Sequence, residues 1–168
     1  MIRMSKLADY GLVLMTQFLR ESRAEENLSA RQLAAETSLP LPAVSKVLKA
    51  LSREGLLISH RGAGGGYSLS RRPERISVGE VLSAVEGPIA MTECIDNEGG
   101  CRQEALCPVR PNWERINHAV KEVLDAITLI DMMGPLPDHL VTLGGVPVET
   151  VEALRVGSAG SVDRQASK

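Results

Sequence analysis

Apolar residues recur every three or four positions through most of the first half of the chain. Leu7, Tyr10, Leu14 and Phe18 make one such stripe and predict a helix over residues 6–22, with Asp9 off the stripe and a polar loop from Ser22 to Asn27 behind it. Leu28, Leu33 and Ala34 give the apolar face of a second helix. It starts at Ser29, where Gln32 three positions on completes a capping box, and ends near Glu36. Thr37-Ser38-Leu39-Pro40 then forms a turn. Pro42 suits the first turn of a third helix, which buries Val44, Val47, Leu48 and Leu51 and stops at Gly55. Leu56 to Ser59 and Tyr67 to Leu69 are short strand signals on either side of a glycine-rich tip, Arg61 to Gly66. Ser77 and Glu80 open another capped helix over 77–86, with Val78, Val81, Leu82 and Val85 inward and Gly87-Pro88 at its end. Residues 92–110 show no period and hold all three cysteines. A long helix is predicted from about Pro111 to Met133. No internal repeat is visible, and Gly157 to Lys168 has the composition of a disordered tail.

Helix, turn, helix and a two-stranded wing define the expected fold class: mainly α, a winged helix-turn-helix domain followed by a cysteine loop and a long dimerisation helix. The expected boundaries are 1–90 for the winged domain, 91–110 for the cysteine loop, 111–133 for the dimerisation helix, and 134–168 for a linker and tail.

Charge sharpens this picture. Residues 1–72 hold 11 Lys/Arg against 6 Asp/Glu, a balance of +5, and residues 73–168 hold 8 against 15, a balance of −7. A basic first half and an acidic second half point to a polyanion met by the first half alone, or to ordinary surface variation. Only Tyr10, Phe18, Tyr67 and Trp113 are aromatic, which argues against a stacking platform for single-stranded nucleic acid. The first residues lack the apolar stretch of a signal peptide and no run is long enough for a membrane span, so a cytoplasmic protein without a membrane partner is expected. Three cysteines in such a setting read as ligands, redox thiols or buried fillers rather than a disulfide framework.

Three constellations carry chemistry. On the third helix the positions left outside the apolar face are Pro42, Ala43, Ser45, Lys46 and Lys49, suited to a DNA major groove. Lysines there meet phosphates or guanine edges. On the wing, Arg61 can enter the adjacent minor groove or bind phosphate, and glycines such as Gly64 permit close approach to the backbone. A helical protein–protein module with a solvated basic face is the rival reading. Cys94, Cys101 and Cys107 fall within 14 residues, beside Gly99-Gly100 and Pro108. Thiolates this close bind zinc or an iron–sulfur cluster, with a fourth ligand missing, or act as redox thiols. Third, Trp113, Ile116, Val120, Val123, Ile127 and Ile130 are spaced 3, 4, 3, 4, 3, a heptad-like seam that calls for a partner helix. A two-fold homodimer would offer two recognition helices to a palindromic site. An enzyme is not expected: His60, His118 and His139 are the only histidines, and none lies near a plausible nucleophile elbow.

These stretches resemble one family. Ser45 to Leu51 with Glu54-Gly55-Leu56-Leu57, the wing Arg61 to Leu69, Ile76 to Leu82 and then three close cysteines are similar to the winged-helix regulators typified by the iron–sulfur regulator IscR and the nitric-oxide-sensing repressor NsrR. The segment from Glu93-Cys94 to Asn112-Trp113 looks most like regulators of the SUF cluster-assembly operon. The resemblance implies a homodimeric repressor of double-stranded promoter DNA, with no small-molecule substrate. It also implies an iron–sulfur cluster, 2Fe-2S or 4Fe-4S, on Cys94, Cys101 and Cys107. The IscR type takes its fourth ligand from a histidine three residues after the third cysteine. Arg110 stands there and cannot ligate. The NsrR type takes an aspartate from the partner's first helix, a position matched by Asp9, which also reads as an exposed carboxylate near a helix N-terminus. Glu93, Glu98, Glu104 and His118 are further donors. Cluster type, operator and signal stay open, and zinc, thiol-redox or nitric-oxide sensing remain alternatives.

Overall fold

The computed structural model describes residues 4–20, 27–62, 64–92, 95, 101 and 106–135. Met1–Gly134 form one compact unit, and Pro135–Lys168 a second that lies, but for Pro135, outside the described residues. The expected tail and His139 fall there too.

Helix α1 spans Lys6–Gln17, and the Ser5 hydroxyl caps it by accepting from the N–H groups of Leu7 and Ala8. It is shorter than the 6–22 expected from the stripe. Phe18 belongs to the apolar pattern and is buried, but it packs from the cap position after the helical ladder has ended. Helix α2 spans Ala30–Thr37 with the predicted reciprocal capping box of Ser29 and Gln32, and Ser38 ends it with φ 56°. Helix α3 spans Leu41–Arg53, starts at Pro40 without a side-chain cap, and buries Val44, Val47, Leu48 and Leu51.

Strands β1, Leu57–His60, and β2, Gly66–Leu69, pair antiparallel from Leu57 opposite Leu69 to His60 opposite Gly66. β1 lies one residue later than its sequence signal, and β2 begins one residue before its signal and ends at Leu69 as expected. A third edge, absent from that signal, supports β2. Leu28, just before α2, exchanges both backbone hydrogen bonds with Tyr67 at 2.9 Å. A Cβ at position 66 would lie 2.8 Å from the Leu28 carbonyl, so only glycine lets β2 run this close to Leu28. Asn27 adds a side-chain hydrogen bond to the Gly64 carbonyl at 3.4 Å. The wing is thus held from both sides.

Helix α4 spans Val78–Glu86 with the predicted capping box of Ser77 and Glu80. Helix α5 spans Arg110–Ala126. The long helix expected over 111–133 stops seven residues early. Ile127 and Thr128 are β-branched and add little helical propensity. The Asp131 carboxylate accepts from both the N–H and the hydroxyl of Thr128, at 2.8 and 2.6 Å, a local alternative to the helix ladder. The chain turns back and pairs with the entry to α4: Val78 N–H donates to Ile127 O and Leu129 N–H to Ile76 O, both at 2.8 Å. Leu129 is completely buried and belongs to the same core as Leu14, Met15, Val47, Leu51, Ile76 and Val81. A short 3-10 turn, Asp131–Met133, follows.

Candidate DNA interface and cysteine segment

The turn between α2 and α3 is tight, with Ser38 in the left-handed region and Pro40 and Pro42 fixing the entry to α3. With Val44, Val47, Leu48 and Leu51 turned into the core, α3 shows its opposite side to solvent. Pro42, Lys46 and Lys49 are exposed along that side, and Ala43 and Ser45 are half-buried at its margins. The spacing of four, then three, puts Pro42, Lys46 and Lys49 on one line. Arg53 continues the line four residues further and is 74% exposed, paired only with its neighbour Glu54 at 3.0 Å. Sequence reading missed Arg53, although its spacing from Lys49 was the available signal.

Arg61 and Gly64 are exposed at the wing tip. The tip is closed by the Gly65 N–H donating to Gly62 O at 3.0 Å, and across the strands His60 Nε2 meets Ser68 Oγ at 2.9 Å. An outward basic helix face and a basic, glycine-rich wing belong to one unit, a form that admits the helix to a major groove and the wing to the flanking backbone.

The cysteines are only partly described. Cys94 lies outside the described residues, as do Glu93, Glu98 and Glu104. Cys101 and Cys107 are free thiols, each half-buried. No group of three or more metal-ligating side chains occurs among the described residues. Cys107 sits on the threshold of α5, where its carbonyl accepts from Arg110 N–H at 3.4 Å. Arg110 turns its guanidinium to Glu114 at 3.0 Å, as befits a side chain that cannot ligate. Asp9 is exposed in the first turn of α1, and His118 is exposed on α5 beside Glu122 at 3.2 Å.

Helix α5 has no buried residue. One side faces its own winged domain. Asn117 there accepts from Met91 N–H at 3.1 Å and donates to Ile89 O at 3.0 Å, and Asp125 lies so near Gly79 that a Cβ there would collide with its Oδ1. A cleft of about 830 Å³, walled in part by Leu56, Val85, Ile89 and Lys121, separates the rest of this side from α4. The row Trp113, Ile116, Val120 and Val123 lies on a neighbouring side. Trp113, Val120 and Val123 are half-buried and Ile116 is 44% exposed. Ile127 does not continue that row, since it caps the helix and is buried in the chain's own core. Ile130 lies beyond the helix and is exposed.

Fold and exposed basic faces together define a winged helix-turn-helix DNA-binding regulator. The chain belongs to the Rrf2 family: the family model, described as an iron-dependent transcriptional regulator, matches residues 4–135. The transcriptional regulator CymR of Bacillus subtilis is 34% identical over 131 residues, covering 78% of this chain and 89% of that protein. IscR of Aliivibrio salmonicida is 32% identical over 130 residues, covering 76% and 77%. Among solved structures, CymR, the global cysteine regulator of B. subtilis, superposes with a TM-score of 0.60 at 33% identity, covering 79% of this chain and 96% of that one. The IscR structure from T. potens gives 0.59 at 29% identity, covering 79% and 86%. These relatives are regulators of transcription and not enzymes. No helix among the described residues is long and apolar enough to cross a membrane.

Proposed function

We propose that this regulator is a cytoplasmic homodimeric repressor gated by an iron–sulfur cluster, acting on promoters of cluster-assembly genes. The observation that carries the proposal is the position of the cysteine segment. It joins the winged domain to α5, and Cys107 lies three residues before the start of the helix that presents the apolar seam, its carbonyl accepting from the Arg110 N–H. A change at the thiols therefore acts on the element that would set the distance between two recognition helices. The donor chemistry fits: three thiolates suit iron, and the exposed carboxylate of Asp9, given by a partner subunit, would complete the shell. A bound cluster supplies a centre that reacts with oxygen or nitric oxide. Asp9→Ala is then expected to leave a cluster that forms but decays faster, because a carboxylate is a harder, weaker ligand to iron than a thiolate. An unchanged spectrum and decay rate would take Asp9 out of the shell. The alternative is zinc or thiol-redox sensing with the same DNA-binding half, and colour separates the two: an iron–sulfur protein is brown, a zinc or metal-free form colourless.

On the DNA side, Lys46, Lys49 and Arg61 are proposed as contacts, with Pro42, Ala43, Ser45 and Gly64 shaping the close approach. Lys46→Ala and Arg61→Ala should each weaken DNA binding and lower the slope of log K against log salt by about one, the loss of one phosphate contact. Titrations across a salt series check this. Unchanged affinity and slope in both variants would remove α3 and the wing from the interface.

A further inference from the structure

Arg71 lies two residues past the end of β2, and its guanidinium does two things at once. Nε donates to the Arg75 carbonyl at 2.9 Å, closing the turn that leads to α4, and Nη2 pairs with Glu80 Oε1. The other oxygen of Glu80 accepts from Ser77 N–H at 2.9 Å, the second half of the α4 capping box. Ser77 lies between Ile76 and Val78, the two residues whose backbones pair with Leu129 and Ile127 beyond the end of α5. A continuous chain of polar contacts thus runs from the base of the wing, through one carboxylate, to the strap that anchors α5. At its wing end, Ser70 N–H donates to Leu56 O at 3.1 Å, so β1 and β2 move with it.

We infer that Arg71 is a positioning residue for DNA recognition: through Glu80 it fixes the angle between the wing and α5, and so the spacing of half-sites that a dimer accepts. The inference rests on the reading of the wing as a DNA contact and of α5 as the dimer helix. Arg71 is 34% exposed and Glu80 45%, so the pair contributes little to stability. Its effect lies in geometry. A guanidinium holds two acceptors in a fixed fork, which an ammonium cannot.

Glu80→Gln tests this with opposite signs. Glutamine at this position keeps the capping box, as Gln32 does in α2, so thermal stability should be unchanged. If charge alone mattered, removing a carboxylate and freeing a cation beside a polyanion would tighten DNA binding. The positioning role predicts the reverse: binding weaker by roughly two- to fivefold per wing, the range of a part-exposed ion pair, and a flattened preference among duplexes whose half-sites are moved apart by single base pairs. The probe is a duplex selected by the wild-type full-length chain from a random-sequence pool, with spacing variants made from it. Arg71→Lys, which keeps the charge, should match Glu80→Gln, and the double variant should lose no more than either alone. Equal or tighter binding by Glu80→Gln, with spacing preference intact, overturns the inference. Lys46→Ala runs alongside. If it too leaves binding unchanged, the DNA face itself is wrong; if it weakens binding while Glu80→Gln does not, only the role of Arg71 fails.

Discussion

Leu129→Ala should destabilise the protein by about 2–5 kcal/mol, the range for truncating a fully buried leucine. Leu129 has no exposed surface and lies in the same core as residues of α1, α3 and α4, although it comes after α5 in the chain. Its removal opens a cavity and also loosens the strap formed by Ile127 and Leu129 against Ile76 and Val78. Urea or thermal melts of wild type and variant read the loss directly. A shift below 1 kcal/mol would mean that residues 127–129 are not part of the core. Ile127→Asp should be at least as damaging, because it places a carboxylate in a site that is 8% exposed. That variant therefore reports on folding and does not probe self-association.

Val123→Asp is the variant that isolates self-association. Val123 is half-buried within its own chain and sits on the row with Trp113, Ile116 and Val120. A charge there is tolerable in a monomer but would be unpaired against a partner helix, at a cost on the order of 3–5 kcal/mol, or roughly two to four orders of magnitude in the dimer dissociation constant. Sedimentation at micromolar concentration should show monomer with an unchanged helical circular dichroism spectrum. A variant that stays dimeric would move the interface away from α5.

The helix-turn-helix was legible because its signals are local. Both capping boxes, Ser29 with Gln32 and Ser77 with Glu80, and the buried row of α3 are written within a few residues each. Glycines and strand-forming residues likewise marked the wing. What the sequence hid depends on partners far along the chain. The 3, 4, 3, 4, 3 spacing runs on through Ile127 and Ile130, and nothing local says that the helix ends at Ala126. That ending depends on the backbone groups of Ile76 and Val78, which pair with residues 127 and 129, and on the burial of Leu129 in the core. The Leu28 edge that fixes the wing, and the Arg71 fork, were hidden for the same reason. For the candidate site, the basic positions of α3 and the wing were legible as the remainder left by the apolar pattern, with Arg53 the omission. The cysteine segment was legible only by residue type and spacing. Without periodicity its geometry could not be derived, and Cys94 lies outside the described residues.

The claim that most needs a direct test is that the cysteine segment holds an iron–sulfur cluster that governs DNA binding. The measurement is anaerobic purification of the full-length chain, with iron and sulfide analysis and visible absorption, followed by DNA affinity before and after cluster removal. The protein should be brown, its colour should be lost in each of the Cys94→Ser, Cys101→Ser and Cys107→Ser variants, and its affinity for the selected duplex should change when the cluster is removed. A colourless protein without iron or sulfide, binding DNA equally in wild type and all three variants, would contradict it.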